Sequence, residues 1–147
     1  MKTLAFNRRA KFDYQILEIF EAGLVLQGTE VRAAKEGKMS IKGSFVRFIN
    51  NEPFLINSHI GPHKHTREKD QHQADRTRKA LLHKAEIKRL LGKTKEKGLT
   101  LVPLRVYNKK GKLKLEFAIG RGKSKIDKRE TIKKREIARR IRKEEDF

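Results

Sequence analysis

Leu99-Thr100-Leu101-Val102-Pro103-Leu104-Arg105-Val106-Tyr107, then Asn108-Lys109-Lys110-Gly111, then Leu113-Lys114-Leu115-Glu116-Phe117-Ala118-Ile119, reads as two β-strands joined by a hairpin turn. Apolar residues dominate both runs. The polar tetrad between them ends on a glycine, which adopts turn backbone at no steric cost. The same pattern recurs toward the N-terminus. Ser44 to Ile49 and Phe54 to Ile60 are strands around an Asn50-Asn51-Glu52-Pro53 turn. Tyr14 to Phe20 and Leu24 to Gln27 are two more, with Glu21-Ala22-Gly23 as a tight connection and Gly23 available for a positive φ. Within the first of these, Ile16, Leu17, Ile19 and Phe20 form a mixed rather than strictly alternating pattern.

Helices interrupt the strands. Thr29 is placed to N-cap Glu30 to Glu36, and Gly37 to close it. Arg76 to Leu91 carries an apolar stripe of Leu81, Leu82, Ala85, Ile87, Leu90 and Leu91, with Asp75 as N-cap and Gly92 as stop. Between these helices, Gly61 to Asp75 is a polar loop holding three of the five histidines. Six short strands with two or three helices predict a mainly β fold with flanking helices, built on a closed or nearly closed antiparallel β-barrel over residues 1–120. Residues 121–147 form a basic tail.

Charge narrows the function. The chain holds 38 Lys+Arg against 18 Asp+Glu, a formal charge of +20, well beyond what solubility asks of a small domain. Such a field draws polyanions. A membrane surface would call for a basic amphipathic helix with large apolar residues on one face. There is no Trp, and the most basic stretch has few large apolar residues, so nucleic acid is the better reading. With that partner the oligonucleotide-binding (OB) barrel is the natural candidate, although periodicity alone does not separate it from another small barrel or an α+β sheet. The absence of cysteine excludes disulfides and Cys-type zinc sites. The first residues lack the apolar segment of a secretory signal, and no run approaches the roughly 18 apolar residues of a membrane span, so the expected setting is cytoplasmic.

The charge is uneven. Residues 1–60 carry a net +3, whereas 121–143 hold twelve Lys/Arg against three acids. Ordering a backbone residue costs about 1–2 kcal/mol. Three isoleucines at about 1.5–3 kcal/mol each do not offset the seventeen residues of 127–143. The tail is therefore expected to be disordered when free and to become helical on an RNA that neutralises it.

Ordered motifs resemble a known family. Asn7-Arg8-Arg9-Ala10 with Asp13-Tyr14, Phe20-Glu21-Ala22-Gly23, Leu26-Gln27-Gly28-Thr29-Glu30-Val31, Arg76-Thr77-Arg78-Lys79-Ala80-Leu81-Leu82-His83-Lys84, and Gly122-Lys123 with Asp127-Lys128-Arg129 resemble the SmpB, or SsrA-binding, family in the family's order. The resemblance implies an OB-type barrel that binds the tRNA-like domain of transfer-messenger RNA. It implies delivery of that RNA to ribosomes stalled without a stop codon, with no bond-making chemistry, no cofactor and no metal. It places Asn7, Tyr14, Glu21 and Leu81 at the tRNA-like domain, with Arg8, Arg9, Arg76, Arg78 and Lys79 as basic neighbours. It places the tail in the ribosome's messenger channel through Lys123, Lys125, Ile126, Asp127, Lys128, Arg129, Lys133, Lys134 and Arg135. Ile126 stands where the family usually has a ring. The expected complex is one protein monomer with one RNA.

Two other readings compete. A general OB-fold RNA binder of the translation machinery fits the composition equally well, and only the ordered motifs argue against it. A metal-dependent hydrolase would have to use His59, His63, His65, His72 and Asp75, whose spacing matches no established zinc pattern.

Overall fold

The computed structural model describes residues 2–123, 129 and 132–139. In chain order its elements are β1 (Lys2–Phe6), α1 (Ala10–Asp13), β2 (Tyr14–Leu24), α2 (Gly28–Lys35), β3 (Met39–Ser40), β4 (Phe45–Ile49), β5 (Glu52–Ile56), β6 (His59–Ile60), β7 (Arg78–Leu81), α3 (Lys84–Lys93), β8 (Leu99–Lys109) and β9 (Lys112–Gly122). Seven strands form one antiparallel sheet in the order β1-β8-β4-β5-β7-β2-β9. A further β8–β9 pairing closes the sheet on itself, while β1 continues along the edge of β8 beyond β4. The mainly β architecture with flanking helices is the one expected. β3 and β6 form a separate two-stranded sheet.

The hairpin is tighter than the sequence suggests. Asn108 and Lys109 stay in the ladder, and only Lys110 (φ 52°) and Gly111 (φ 83°) turn. Two consecutive positive φ angles match the twist of the flanking strands. Asn50 (φ 51°) and Asn51 (φ 63°) do the same between β4 and β5, so Glu52 and Pro53 belong to the strand.

Inside the ring, Phe20, Leu55, Val106, Leu115, Phe117 and Ile119 pack with Ala33 and Ala34 of α2 and Leu90 of α3. The rings of Phe20 and Phe117 stack at 5.6 Å. A smaller cluster lies on the outer face, where Ala10 of α1 covers Val102, Leu104 and Ala118 beside Tyr14 and Ile16.

Several expectations are corrected. Glu21-Ala22-Gly23 is not a turn. β2 runs through it, Ala22 is buried, and Gly23 pairs with Lys114 without a positive φ. Arg76 to Leu91 is not one helix. Its first part is β7, with Arg78 and Ala80 pointing inward, and α3 begins only after His83. The N-cap is therefore His83, not Asp75, and Gly92 lies within α3. α2 starts at Gly28 after Gln27, so Thr29 is not its cap, although Gly37 does take a positive φ at its end. Phe54 to Ile60 is broken by Asn57 (φ 64°). β1, α1 and β3 escaped the sequence reading. No described helix is long and apolar enough to cross a membrane.

Candidate nucleic-acid interface

Two irregularities bring the expected RNA-binding residues of β2 onto one face. Between Ile16 and Glu18 the β2–β9 register slips, so Leu17 has no partner opposite it. A bulge of this kind reverses which side chains face outward. Ile16 pairs with Gly120 before the slip, and Ile19, Glu21 and Gly23 pair with Ala118, Glu116 and Lys114 after it. Tyr14, Ile16, Ile19 and Glu21 therefore share the outer face with alternate residues of β9. A second slip between Pro103 and Arg105 adds Val102, Arg105 and Tyr107 of β8 to that face.

At one end of it, β1 and β4 leave an unpaired stretch of the β8 edge. Asn7 fills the gap. Its backbone N–H donates to the Leu104 carbonyl at 2.8 Å, and its side-chain Nδ2 donates to the Pro103 carbonyl at 2.9 Å. Its Oδ1 accepts the Arg9 N–H at 3.3 Å. The Asn7 amide thus fixes a corner of the chain, and Arg8 and Arg9 project from that corner, both exposed. Arg9 pairs with Asp13 at 3.3 Å and lies 4.9 Å over the Phe12 ring. Tyr14 packs tightly against Gly120, where an added Cβ would sit 3.1 Å from the Tyr14 Cβ. Asn7, Arg8, Arg9 and Tyr14 together line a cavity of about 630 Å³.

Glu21 and Leu81 lie at the other end of β2, roughly 20 Å from Tyr14 at the usual strand rise. Leu81, on a strand rather than the expected helix, is 53 % exposed opposite Gly23. Lys79, half-buried, reaches Glu52 at 3.3 Å. The Tyr107 hydroxyl donates to Glu21 Oε2, and Lys109 Nζ lies 3.6 Å from Oε1. The Tyr107 hydrogen bond holds the Glu21 carboxyl below the usual carboxylate range, against an opposing push from burial and with help from Lys109 and Lys114. Burial, and then the Glu21 carboxylate, push the Tyr107 hydroxyl well above the ordinary tyrosine value. Glu21 is thus a fixed anion among cations, able only to accept.

Arg78 was expected to touch RNA, and it does not reach the surface: it is fully buried. Its Nε donates to Glu30 at 2.6 Å, Nη1 to Ser58, and Nη2 to the carbonyls of Gln73 and Ala74. With those partners the guanidinium fork is saturated, and its role is to join α2, β7 and the loop before β7. Arg76, partly exposed, donates to the same Glu30 at 2.6 Å and to the Val25 carbonyl at 3.3 Å. Burial pushes the Glu30 carboxyl up, but hydrogen bonds from Arg76, the Gln27 N–H and Arg78 outweigh it and hold the group below its usual value.

The histidines proposed for a metal serve different partners. His59 meets Asp75 at 3.0 Å, His63 meets Glu36 at 3.1 Å, and His72 joins Thr29 and the Ile60 carbonyl. Among the described residues no three His, Cys, Asp or Glu are grouped to hold a metal ion.

The family described as SmpB protein matches residues 4–146. The chain belongs to the SmpB family. The SsrA-binding protein of Coprothermobacter proteolyticus is 50% identical over 145 residues, 98% of this chain and 97% of that one. The SsrA-binding protein of Thermosipho melanesiensis is 51% identical over 143 residues, 97% of each chain. A solved chain from a structure of tmRNA–SmpB at the centre of the bacterial ribosome has a TM-score of 0.68 and 44% identity, covering 86% of this chain and 92% of that one.

Within the SmpB family's frame, the tail begins beside the cavity. Tyr14 pairs with Gly122, and the Lys123 N–H donates to the Asp13 carbonyl at 2.9 Å. Arg129 and residues 132–139 are helical and exposed, including Lys133, Lys134 and Arg135. Lys125, Ile126, Asp127 and Lys128 lie outside the described residues. Sequence reasoning missed Lys42, Phe6 and Phe45 at the cavity and Arg105, Tyr107 and Lys109 around Glu21. The hairpin register was a usable signal for the last three, because strand alternation puts them on the Tyr107 face.

Proposed function

We infer that this chain binds the tRNA-like domain of transfer-messenger RNA and delivers it to ribosomes stalled without a stop codon, where the nascent peptide is tagged and the ribosome is freed. The match to the SmpB family across residues 4–146 carries this reading, because the relatives are named for binding SsrA RNA. The protein acts in the cytoplasm, as a monomer on one RNA, and makes or breaks no bonds itself. The two ends of β2 are the grip: Asn7, Arg8, Arg9 and Tyr14 at the cavity, and Glu21, Lys79 and Leu81 at the other end, with Arg76 between α2 and β7. Arg78 contributes by holding that frame. The chain beyond Lys123 orders on RNA in the vacant messenger channel, with Asp127, Lys128 and Arg129 near the decoding centre. The tail's twelve Lys/Arg in 121–143 and the exposure of 132–139 support this division.

Competition binding tests the reading. Complex formation releases counterions from neutralised phosphates, so log Kd should rise steeply with log salt. An unrelated hairpin of equal length should compete poorly with the tRNA-like domain. A slope near zero, or equal competition, contradicts the proposal.

A further inference from the structure

The cavity beside Asn7 has the makings of a receptor for one nucleotide. Its volume, about 630 Å³, falls in the range of small-ligand sites rather than of packing defects. It lies between the β1–α1 corner, the Lys42–Phe45 segment and the start of β8. Three rings border it. Phe6 is 60 % exposed, and Tyr14 and Phe45 are half-buried. Phe6 leaves a ring face open at the cavity, and single-stranded nucleic acid stacks on such faces. Two exposed cations, Arg8 and Lys42, stand among the lining residues, and neither has an acidic partner among the described residues. The one lining carboxylate, Asp13, is paired with Arg9. Next to Lys42, Gly43 takes φ +73° with nothing within 4 Å of where a Cβ would be, so a ligand has room against the backbone there.

We propose that this cavity accepts a single unpaired nucleotide extruded from the bound RNA, its base against Phe6, Tyr14 and Phe45 and its phosphate between Arg8 and Lys42. The proposal rests on the RNA-binding reading above and specifies how one end of β2 grips. Sequence-specific recognition of RNA works on splayed, unstacked bases, because side chains do not read the deep groove of an A-form helix. The cavity borders the outer face that carries Ile19 and Glu21, so the RNA backbone passes along the sheet while one base leaves the stack.

The test uses the full chain and a tRNA-like domain in which unpaired bases are replaced, one at a time, by 2-aminopurine. With wild type, one position should change fluorescence on binding. The Phe6→Ala, Lys42→Ala double variant should lose that response and about tenfold in affinity, while keeping the circular dichroism and melting of the wild type. Lys42→Glu alone should weaken binding and leave Phe6 in place, which guards against a misfolded double variant. Normal binding and an unchanged fluorescence pattern in these variants overturn the pocket alone. Failure of the wild type to bind the domain overturns the pocket and the functional reading together.

Discussion

Glu21 sets an acid on the face proposed to meet RNA, and its neighbours explain how. Arg105, Tyr107 and Lys109 face it from β8, and Glu116 and Lys114 from β9. Tyr107 holds one carboxylate oxygen and Lys109 lies 3.6 Å from the other, which keeps a lone pair able to accept from a base amino group or a 2′-hydroxyl on the proposed function. Because the folded value is depressed, the charge is in place above the usual carboxylate range and is lost only as pH falls through that lower value. Tyr107→Phe keeps the buried ring but removes the donor. The Glu21 titration midpoint, followed by NMR, should then move up toward its ordinary value; an unmoved midpoint would show that the hydroxyl does not set it. Tyr14→Ala and Glu21→Ala should each weaken binding to the tRNA-like domain by about tenfold with unchanged circular dichroism. Wild-type affinity in both variants would remove these residues from the interface.

At the scale of elements, the pairing of Glu30 with Arg78 decides more than any local propensity. Both side chains are fully buried, and 48 positions separate them. Glu30→Gln leaves the Arg78 charge buried without its counter-ion, and should cost about 3–5 kcal/mol in denaturant unfolding. A loss under about 1 kcal/mol would contradict the assignment. Glu30 also makes stability pH-dependent: its contribution is in place above the usual carboxylate range and fades as pH falls through its depressed folded value, and the variant should lack that acid-side loss. The same pair shows what sequence conceals. Arg78-Lys79-Ala80-Leu81-Leu82 favours helix by propensity, yet a partner far along the chain holds it in a strand. The caps hide for another reason. Gln27 and His83 are poor N-cap residues by preference, but Glu30 and Glu86 accept from their backbone N–H groups. The β8–β9 hairpin was legible because its turn chemistry and apolar runs are local. The mixed pattern at Ile16 to Phe20 was visible too, but only the β9 register identifies it as the bulge that turns Glu21 toward Tyr14's face. At the cavity, the motifs point to Asn7 and Tyr14, whereas Lys42 and Phe45 join them only through the fold.

At the scale of the molecule, the proposed RNA grip and the root of the tail meet at one corner. β9 ends at Gly122 beside Tyr14, and the Lys123 N–H closes on Asp13. Anything bound at the cavity therefore sits next to the root of the tail, which on the proposed function sets RNA capture beside tail entry into the ribosome. The described strand β9 runs two residues past Gly120, the point at which composition begins the tail. A truncation after Lys123 should leave the sheet folded and RNA binding largely intact, because the tail has little apolar surface with which to dock. The decisive measurement is tagging of a nascent chain on bacterial ribosomes stalled at the end of a message without a stop codon, with alanine-charged transfer-messenger RNA at saturation. Tag should appear with the full chain, and should be absent without it and with the chain cut after Lys123. Tagging that proceeds equally in all three cases, or fails with the full chain present, would contradict the account.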